Sequence, residues 1–66
     1  MSIGANLKRL RTEKGMSQEE LACSVHVTQS MIAQIERGTK ALTVELAKEV
    51  LAVLGATMDD IWDDAG

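Results

Sequence analysis

Apolar residues recur at helical spacing along the whole chain, and no segment alternates between apolar and polar residues as a strand does. Ile3, Leu7 and Leu10, for example, fall on one stripe of a helix. Proline is absent, and Trp62 is the only aromatic residue, so the residues that favour strands are scarce. The sequence therefore predicts an all-α fold.

Capping residues and glycines divide this pattern into five short helices. Ser17 and Glu20 have the spacing of a capping box, and Thr28 and Thr43 precede apolar runs as N-caps do. Glycines follow three of the patterns, where a C-terminal cap belongs, at positions 15, 38 and 55. The predicted helices cover about residues 2–14, 17–24, 28–37, 43–54 and 57–62, a compact five-helix fold.

Length and composition exclude several classes of protein. A chain of 66 residues forms one domain at most, here 1–66, with a small core. Cys23 and His26 are the only residues of their types, so neither a disulfide nor a zinc site is expected, and we expect no cofactor. An enzyme would have to build its nucleophile, its base and the group that orients the base from one histidine, one cysteine and surface carboxylates, so we expect no catalytic activity. No apolar run spans a membrane and no signal peptide is evident, which predicts a cytoplasmic protein.

Charge is distributed unevenly between the two parts of the chain. Its net charge of −3 argues against a nucleic-acid partner, because phosphate binding needs lysine and arginine. However, residues 1–40 hold six basic and four acidic residues, a balance of +2, whereas residues 41–66 carry a balance of −5. The first part could therefore face DNA while the second faces away. A mixed, solvated surface explains the same charges equally well.

The third predicted helix has an uncharged polar face. Met31, Ile32 and Ile35 share one side, and the opposite side carries Gln29, Ser30, Ala33 and Gln34. Glutamine can bind the N6/N7 edge of adenine through two hydrogen bonds, and a small alanine lets a helix approach the bases. On these residues alone, ordinary solvent-facing glutamines remain the alternative.

The segment MSQEELACSVHVTQSMIAQIERG, residues 16–38, resembles the helix-turn-helix of the Xre or Cro/C1-type regulators, the family of the lambdoid phage repressors. The segments LKRLRTEKG before it and LAVLGATMDDIW after it continue the likeness. The resemblance implies a lambda-repressor-like fold with its helix-turn-helix at 17–37. It also implies a transcriptional regulator, and more specifically a repressor at the nucleoid, whose recognition helix 28–37 enters the major groove of double-stranded DNA.

The resemblance also implies roles for individual residues. The positions that enter the major groove to read bases are Thr28, Gln29, Ser30 and Gln34. The positions that face the DNA backbone are Arg11, Ser17, Gln18, Arg37, Thr39 and Lys40. Arg11 and Glu36 match a pair that forms a partly buried salt bridge in many members. Neither a metal nor a small-molecule ligand is implied.

The chain departs from the family pattern at three places. His26 stands where most members have a glycine in a left-handed conformation, which predicts a cost in stability. A pH switch or metal ligand at His26 would need a partner that the sequence lacks. The loop 39–42 lacks the proline often found there, and Cys23 replaces a residue that is usually polar and exposed. We expect the Cys23 thiol to be inert, with a redox sensor as the alternative.

The fourth predicted helix carries more apolar residues than one buried stripe needs. This excess predicts a homodimer with twofold symmetry and an inverted-repeat operator. The residues expected at its interface are Val50, Val53, Leu54 and Trp62. One alternative is a five-helix monomer that uses the whole face internally, with Trp62 closing the core. A different alternative keeps the fold but binds a protein, as an adaptor or antitoxin does, and the acidic second part favours it.

Overall fold

A computed structural model describes residues 3–62 as five helices joined by short turns. None of the described residues forms a strand, so the predicted all-α fold is confirmed. None of the described helices has the length and hydropathy that a membrane crossing needs. The helices are α1 Ile3–Lys14, α2 Gln18–Ser24, α3 Gln29–Arg37, α4 Val44–Leu54 and α5 Met58–Trp62.

The helix boundaries lie where local capping chemistry predicts them. The Ser17 hydroxyl accepts from the Glu20 amide at 3.0 Å, and the Glu20 carboxylate accepts from the Ser17 amide at 2.9 Å, which completes the capping box. Thr28 and Thr43 cap α3 and α4 by accepting from the amide three residues ahead. Gly38 and Gly55 then end these helices in the left-handed conformation.

The core is built from apolar side chains of all five helices. α1 lies centrally and packs against α3, α4 and α5, while α2 packs between α3 and α4. The buried apolar residues are Leu7, Leu21, Ala22, Val25, Ile32, Ile35, Leu46, Ala47, Val50, Leu51, Leu54 and Ile61. Because α4 is enclosed by three other helices of the same chain, its apolar excess is used mainly inside the monomer.

The prediction that four residues form a dimer interface is therefore wrong for two of them. Val50 is fully buried and Leu54 is 8% exposed, so neither offers a surface to a second chain. Val53 is partly buried, and Trp62 is 39% exposed. The alternative of a five-helix monomer is wrong only in its use of Trp62, because the α5 residue buried in the core is Ile61.

Two residues of α1 make contacts that the sequence pattern does not reveal. Gly4 lies against the end of α3, where a Cβ atom would stand 2.3 Å from the Ile35 carbonyl oxygen. The Asn6 side chain is buried, and its amide donates to the Ile61 carbonyl of α5 at 2.8 Å. These contacts depend on how the helices cross, and no local sequence signal reports that.

Candidate nucleic-acid interface

The turn between α2 and α3 sets the angle between these helices. Val25 is buried and ends α2, and the Val27 amide donates back to the Ala22 carbonyl at 2.9 Å. Between them, His26 adopts a φ of 62°, the left-handed conformation expected from the glycine that it replaces. The turn therefore has the left-handed backbone that the resemblance predicts, although this conformation costs free energy for a residue with a Cβ atom.

The outer face of α3 is polar, uncharged and accessible. Gln29 and Ser30 are exposed, and Ala33 and Gln34 are partly buried. The Gln34 amide Nε2 donates to the Ser30 hydroxyl one turn earlier at 3.1 Å. The inner face is buried through Ile32 and Ile35, so α3 is held firmly while its amides point outward.

Two hydroxyl groups cap the N-terminal ends of α2 and α3. Ser17 Oγ accepts from Glu20 N, and Thr28 Oγ1 accepts from Met31 N. A hydroxyl that accepts in this way still has its own proton to donate. Both groups can therefore cap a helix and donate to a phosphate or a base at the same time.

An ion pair joins α1 to the end of α3. Arg11 Nε donates to Glu36 Oε2 at 2.6 Å and Nη2 donates to Oε1 at 3.1 Å, the bidentate geometry of a strong pair. Arg11 Nη1 also donates to the Met16 carbonyl at 2.6 Å. The side chains are only 8% and 3% exposed, so the predicted salt bridge is present and well buried.

This burial corrects one of the two roles predicted for Arg11. Its guanidinium makes three hydrogen bonds inside the protein and has almost no accessible surface. It cannot contact a DNA phosphate without breaking the pair with Glu36. Arg11 is therefore a structural residue and not a DNA-backbone contact.

The same carboxylate also holds Gln18, a contact that the sequence reading missed. Gln18 Nε2 donates to Glu36 Oε1 at 2.9 Å, which links the first residue of α2 to the end of α3. A carboxylate cannot donate, so this bond fixes the Gln18 amide with its nitrogen toward Glu36. The only sequence signal for this contact was that Gln18 and Glu36 each match a position with a role in the same family.

The segment after α3 presents basic and hydroxyl side chains. Arg37, Thr39 and Lys40 are exposed. The Thr39 hydroxyl donates to the Gln34 carbonyl at 3.1 Å, which ties this segment to the helix that precedes it. The segment is thus fixed to α3 through Thr39, and its exposed cations could contact a polyanion.

Comparison with known proteins decides the family. Residues 7–61 match the family model described as helix-turn-helix, which covers more than half of the chain. The chain belongs to the helix-turn-helix family. α2 and α3 are its two motif helices, and α3 occupies the recognition position.

Relatives of this helix-turn-helix chain are regulators of known class. It is 36% identical over 55 residues to the uncharacterized HTH-type transcriptional regulator y4dJ of Sinorhizobium fredii, covering 83% of this chain and 71% of the relative. It is 31% identical over 63 residues to the control protein C.MunI of a Mycoplasma species, covering 94% and 85%.

A solved structure has the same fold. The restriction-modification controller protein C.AhdI of Aeromonas hydrophila superposes with a TM-score of 0.86 at 28% identity, over 91% of this chain and 87% of that one. The family and these similarities show a sequence-specific DNA-binding protein of the transcription-regulator class. Proteins of this class are not enzymes.

Proposed function

We propose that the chain acts as a repressor of transcription, a homodimer that places α3 and its cap, residues 28–37, in the major groove of an inverted-repeat operator. The observation that carries this proposal is the outer face of α3, where Gln29 is exposed and Gln34 is only partly buried. A helix held by a buried inner face and carrying outward amides has the form that base reading requires. The chain works as one DNA-binding domain, cytoplasmic and associated with the nucleoid, and it has no catalytic role.

The base-reading residues in this proposal are those on the outer face of α3 and its cap. Gln29 and Gln34 each offer a donor and an acceptor that match the N7 and N6 positions of adenine. Thr28 and Ser30 contribute hydroxyl protons to acceptors on neighbouring bases. The partly buried Ala33 leaves room for the helix to approach the base edges.

The backbone contacts in this proposal come from residues on both sides of α3. Arg37 and Lys40 are exposed cations. Thr39 is exposed beside them, and its hydroxyl must leave the Gln34 carbonyl before it can donate to a phosphate. Ser17 offers its hydroxyl proton from the α2 cap. Gln18 has one N–H bonded to Glu36 and a second N–H for a phosphate. These contacts fix the register of α3 on the duplex and carry no sequence information.

The homodimer in this proposal uses the apolar surface that remains outside the core. Trp62 is partly exposed and lines a groove of about 300 Å³ together with Ile3 and Leu42. Val53 is partly buried on α4, and Val44 is 59% exposed at its start. A twofold arrangement through this surface places two copies of α3 about 34–36 Å apart, one turn of DNA.

The competing function is an adaptor or antitoxin that uses the same fold to bind a protein. The observation that favours it is the acidic balance of residues 41–66. Such a chain does not need affinity for duplex DNA. Salt dependence separates the two functions, because each phosphate contact releases a counterion when it forms.

Binding of the chain to random-sequence duplex DNA across a salt series tests the proposal. We expect affinity to fall steeply with salt, and Lys40→Ala to reduce the slope of log K against log salt by about one unit. Lys48→Ala, a cation of α4 in the acidic part of the chain, serves as the matched control and leaves the slope unchanged. Absence of salt-sensitive binding favours the adaptor.

Stoichiometry on a selected operator tests the dimer. Two copies bound per operator and a footprint with half-site symmetry support it. A single copy bound to an asymmetric footprint contradicts it. Trp62→Ala is expected to weaken binding of the second copy. The control is Ala52→Ser at an exposed position of α4, which is expected to leave binding of the second copy unchanged.

A further inference from the structure

The two candidate base-reading glutamines are held differently. Gln34 is partly buried, and its amide nitrogen donates to Ser30 Oγ at 3.1 Å. Gln29 is exposed, and no hydrogen bond from the described side chains holds its amide. The two glutamines therefore differ in how much of their orientation is fixed before any ligand binds.

The backbone at Gln34 is also fixed from the C-terminal side. The Gln34 carbonyl accepts from the Thr39 amide at 3.0 Å and from the Thr39 hydroxyl at 3.1 Å. The amide of Gly38, which ends α3, donates to the same carbonyl. Gln34 thus has a constrained main chain and a side chain tied to Ser30, while Gln29 lies in the first turn of the helix.

The hydrogen bond to Ser30 limits the rotamers that the Gln34 side chain can adopt. A glutamine amide has two N–H donors and one carbonyl acceptor. With one N–H bonded to Ser30, the amide offers a second N–H and its Oε1, which match N7 and the N6 amino group of adenine. A rotation of the amide by 180° exchanges donor and acceptor but keeps a hydrogen bond to Ser30, because the Ser30 hydroxyl can also donate to Oε1. Ser30 therefore fixes where the amide lies, and the base selects between its two orientations.

We propose that Ser30 is a positioning residue that holds the Gln34 side chain in the rotamer from which its amide reads adenine, so that Ser30 and Gln34 read DNA as one unit. Gln29 reads independently. The inference rests on the proposed function, since it requires α3 in the major groove. It changes the role of Ser30 from a separate base reader to a residue that acts through Gln34.

Binding of full-length variants to paired operators tests this inference. The operators differ only at the base pair whose preference Gln34→Ala abolishes, with A·T in one duplex and G·C in the other. For the wild-type chain we expect discrimination of roughly 5- to 150-fold, the range for one good bidentate contact. Ser30→Ala is expected to reduce that discrimination by at least about threefold, since the Gln34 side chain is then free to leave its rotamer.

Three further variants separate positioning from other roles. Ser30→Thr keeps a hydroxyl and is expected to retain the discrimination. Ser30→Ala added to Gln34→Ala is expected to change nothing further, because its effect passes through Gln34. Ser24→Ala removes an exposed serine hydroxyl of α2 and is the matched control, with unchanged discrimination. Melting temperatures measured in parallel show whether each variant is folded.

The outcomes of this experiment are distinguishable. If Ser30→Ala weakens binding to both duplexes by the same factor, Ser30 contacts DNA on its own and the inference is overturned while the proposed function stands. If Ser30→Ala weakens binding further in the Gln34→Ala background, Ser30 contacts DNA independently of Gln34 and the inference is again overturned. If Gln34→Ala leaves every base preference intact, the proposed reading by α3 is wrong, and the inference is overturned with it.

Discussion

Helices α3 and α4 begin and end by the same chemistry but have different surroundings. Each starts after a threonine cap, Thr28 or Thr43, and each ends at a left-handed glycine, Gly38 or Gly55. α4 is enclosed by α1, α2 and α5 and buries most of its apolar side chains. α3 buries one face only and leaves its amide face open. Caps thus determine where a helix begins and ends, and the composition of its faces determines what it can contact.

The means of attachment also differ between the two helices. α4 is held by the apolar core, in which Val50 is completely buried. The C-terminal end of α3 is held by polar groups as well, because Glu36 accepts hydrogen bonds from Arg11 and Gln18. A network of this kind fixes orientation as well as distance, which suits a helix that must present side chains to a ligand. The following predictions test this difference, from the largest expected effect to the smallest.

Glu36→Ala removes the acceptor at the centre of the polar network. The substitution leaves the Arg11 guanidinium buried without its counter-charge, which typically costs about 3–5 kcal/mol. Chemical denaturation should show this loss in the free energy of unfolding. The matched control is Glu13→Ala, which breaks an exposed pair with Arg9, where the side chains are 62% and 52% accessible. That control should cost no more than about 1 kcal/mol. Equal effects of the two variants would contradict the buried network.

Gly4→Ala tests the close approach of α1 to the end of α3. The added Cβ would lie 2.3 Å from the Ile35 carbonyl oxygen and 2.6 Å from that of Glu36, both backbone atoms, so the helices must move apart. Overpacking of this kind costs about 1–3 kcal/mol. Alanine otherwise favours a helix over glycine by about 0.8–1 kcal/mol, so the expected sign opposes helix propensity. Ala52→Gly on the exposed face of α4 measures the propensity effect alone. A higher melting temperature for Gly4→Ala would refute the close contact.

His26→Gly relieves the left-handed backbone in the turn before α3. A residue with a Cβ pays roughly 1–2 kcal/mol for this conformation. Because glycine also gains freedom in the unfolded chain, worth about 0.4–1 kcal/mol, we expect a net gain of stability below about 1 kcal/mol. DNA affinity should not change. His26→Ala keeps the strained φ and should not stabilise the chain. Equal stabilisation by both variants would show that the imidazole, and not the backbone, is unfavourable.

The smallest effect is expected at the start of α5. The Thr57 amide and hydroxyl donate to the Asp60 carboxylate, and these hydrogen bonds hold the pKa of Asp60 below its ordinary value. A lowered pKa in the folded state means that the stabilisation is present above about pH 4 and is lost as the pH falls through the folded value. Asp60→Asn should therefore lower the melting temperature slightly at neutral pH. The difference from wild type should vanish in acid, and a difference that is constant with pH would contradict this account.

The sequence predicted the helices well because their boundaries depend on nearby residues. The Ser17–Glu20 box and the caps at Thr28 and Thr43 lie within one turn of the amides that they satisfy, so spacing alone identifies them. The left-handed His26 and the Arg11–Glu36 pair followed from the family resemblance, and the structure contains both.

Contacts between distant segments could not be predicted in the same way. The bond from Gln18 to Glu36 and the approach of Gly4 to α3 depend on helix crossing, which no local pattern encodes. Val50 and Leu54 were assigned to a dimer because the width of an apolar face does not say whose side chains cover it. Three helices of the same chain cover most of it. Arg11 was assigned to the DNA backbone as well as to the pair with Glu36, because the sequence does not show that burial and three hydrogen bonds leave its guanidinium no surface for a phosphate.

Selection from randomised duplex DNA, run in parallel with wild-type chain and Gln34→Ala, tests the central claim that α3 reads bases. We expect the wild-type chain to enrich an inverted repeat whose half-sites are centred about 34–36 Å apart. Gln34→Ala should lose the preference at one position in each half-site, at a cost of about 1–3 kcal/mol, and keep the others. An unchanged preference at every position of the selected site would contradict the assignment of α3 as the reading helix.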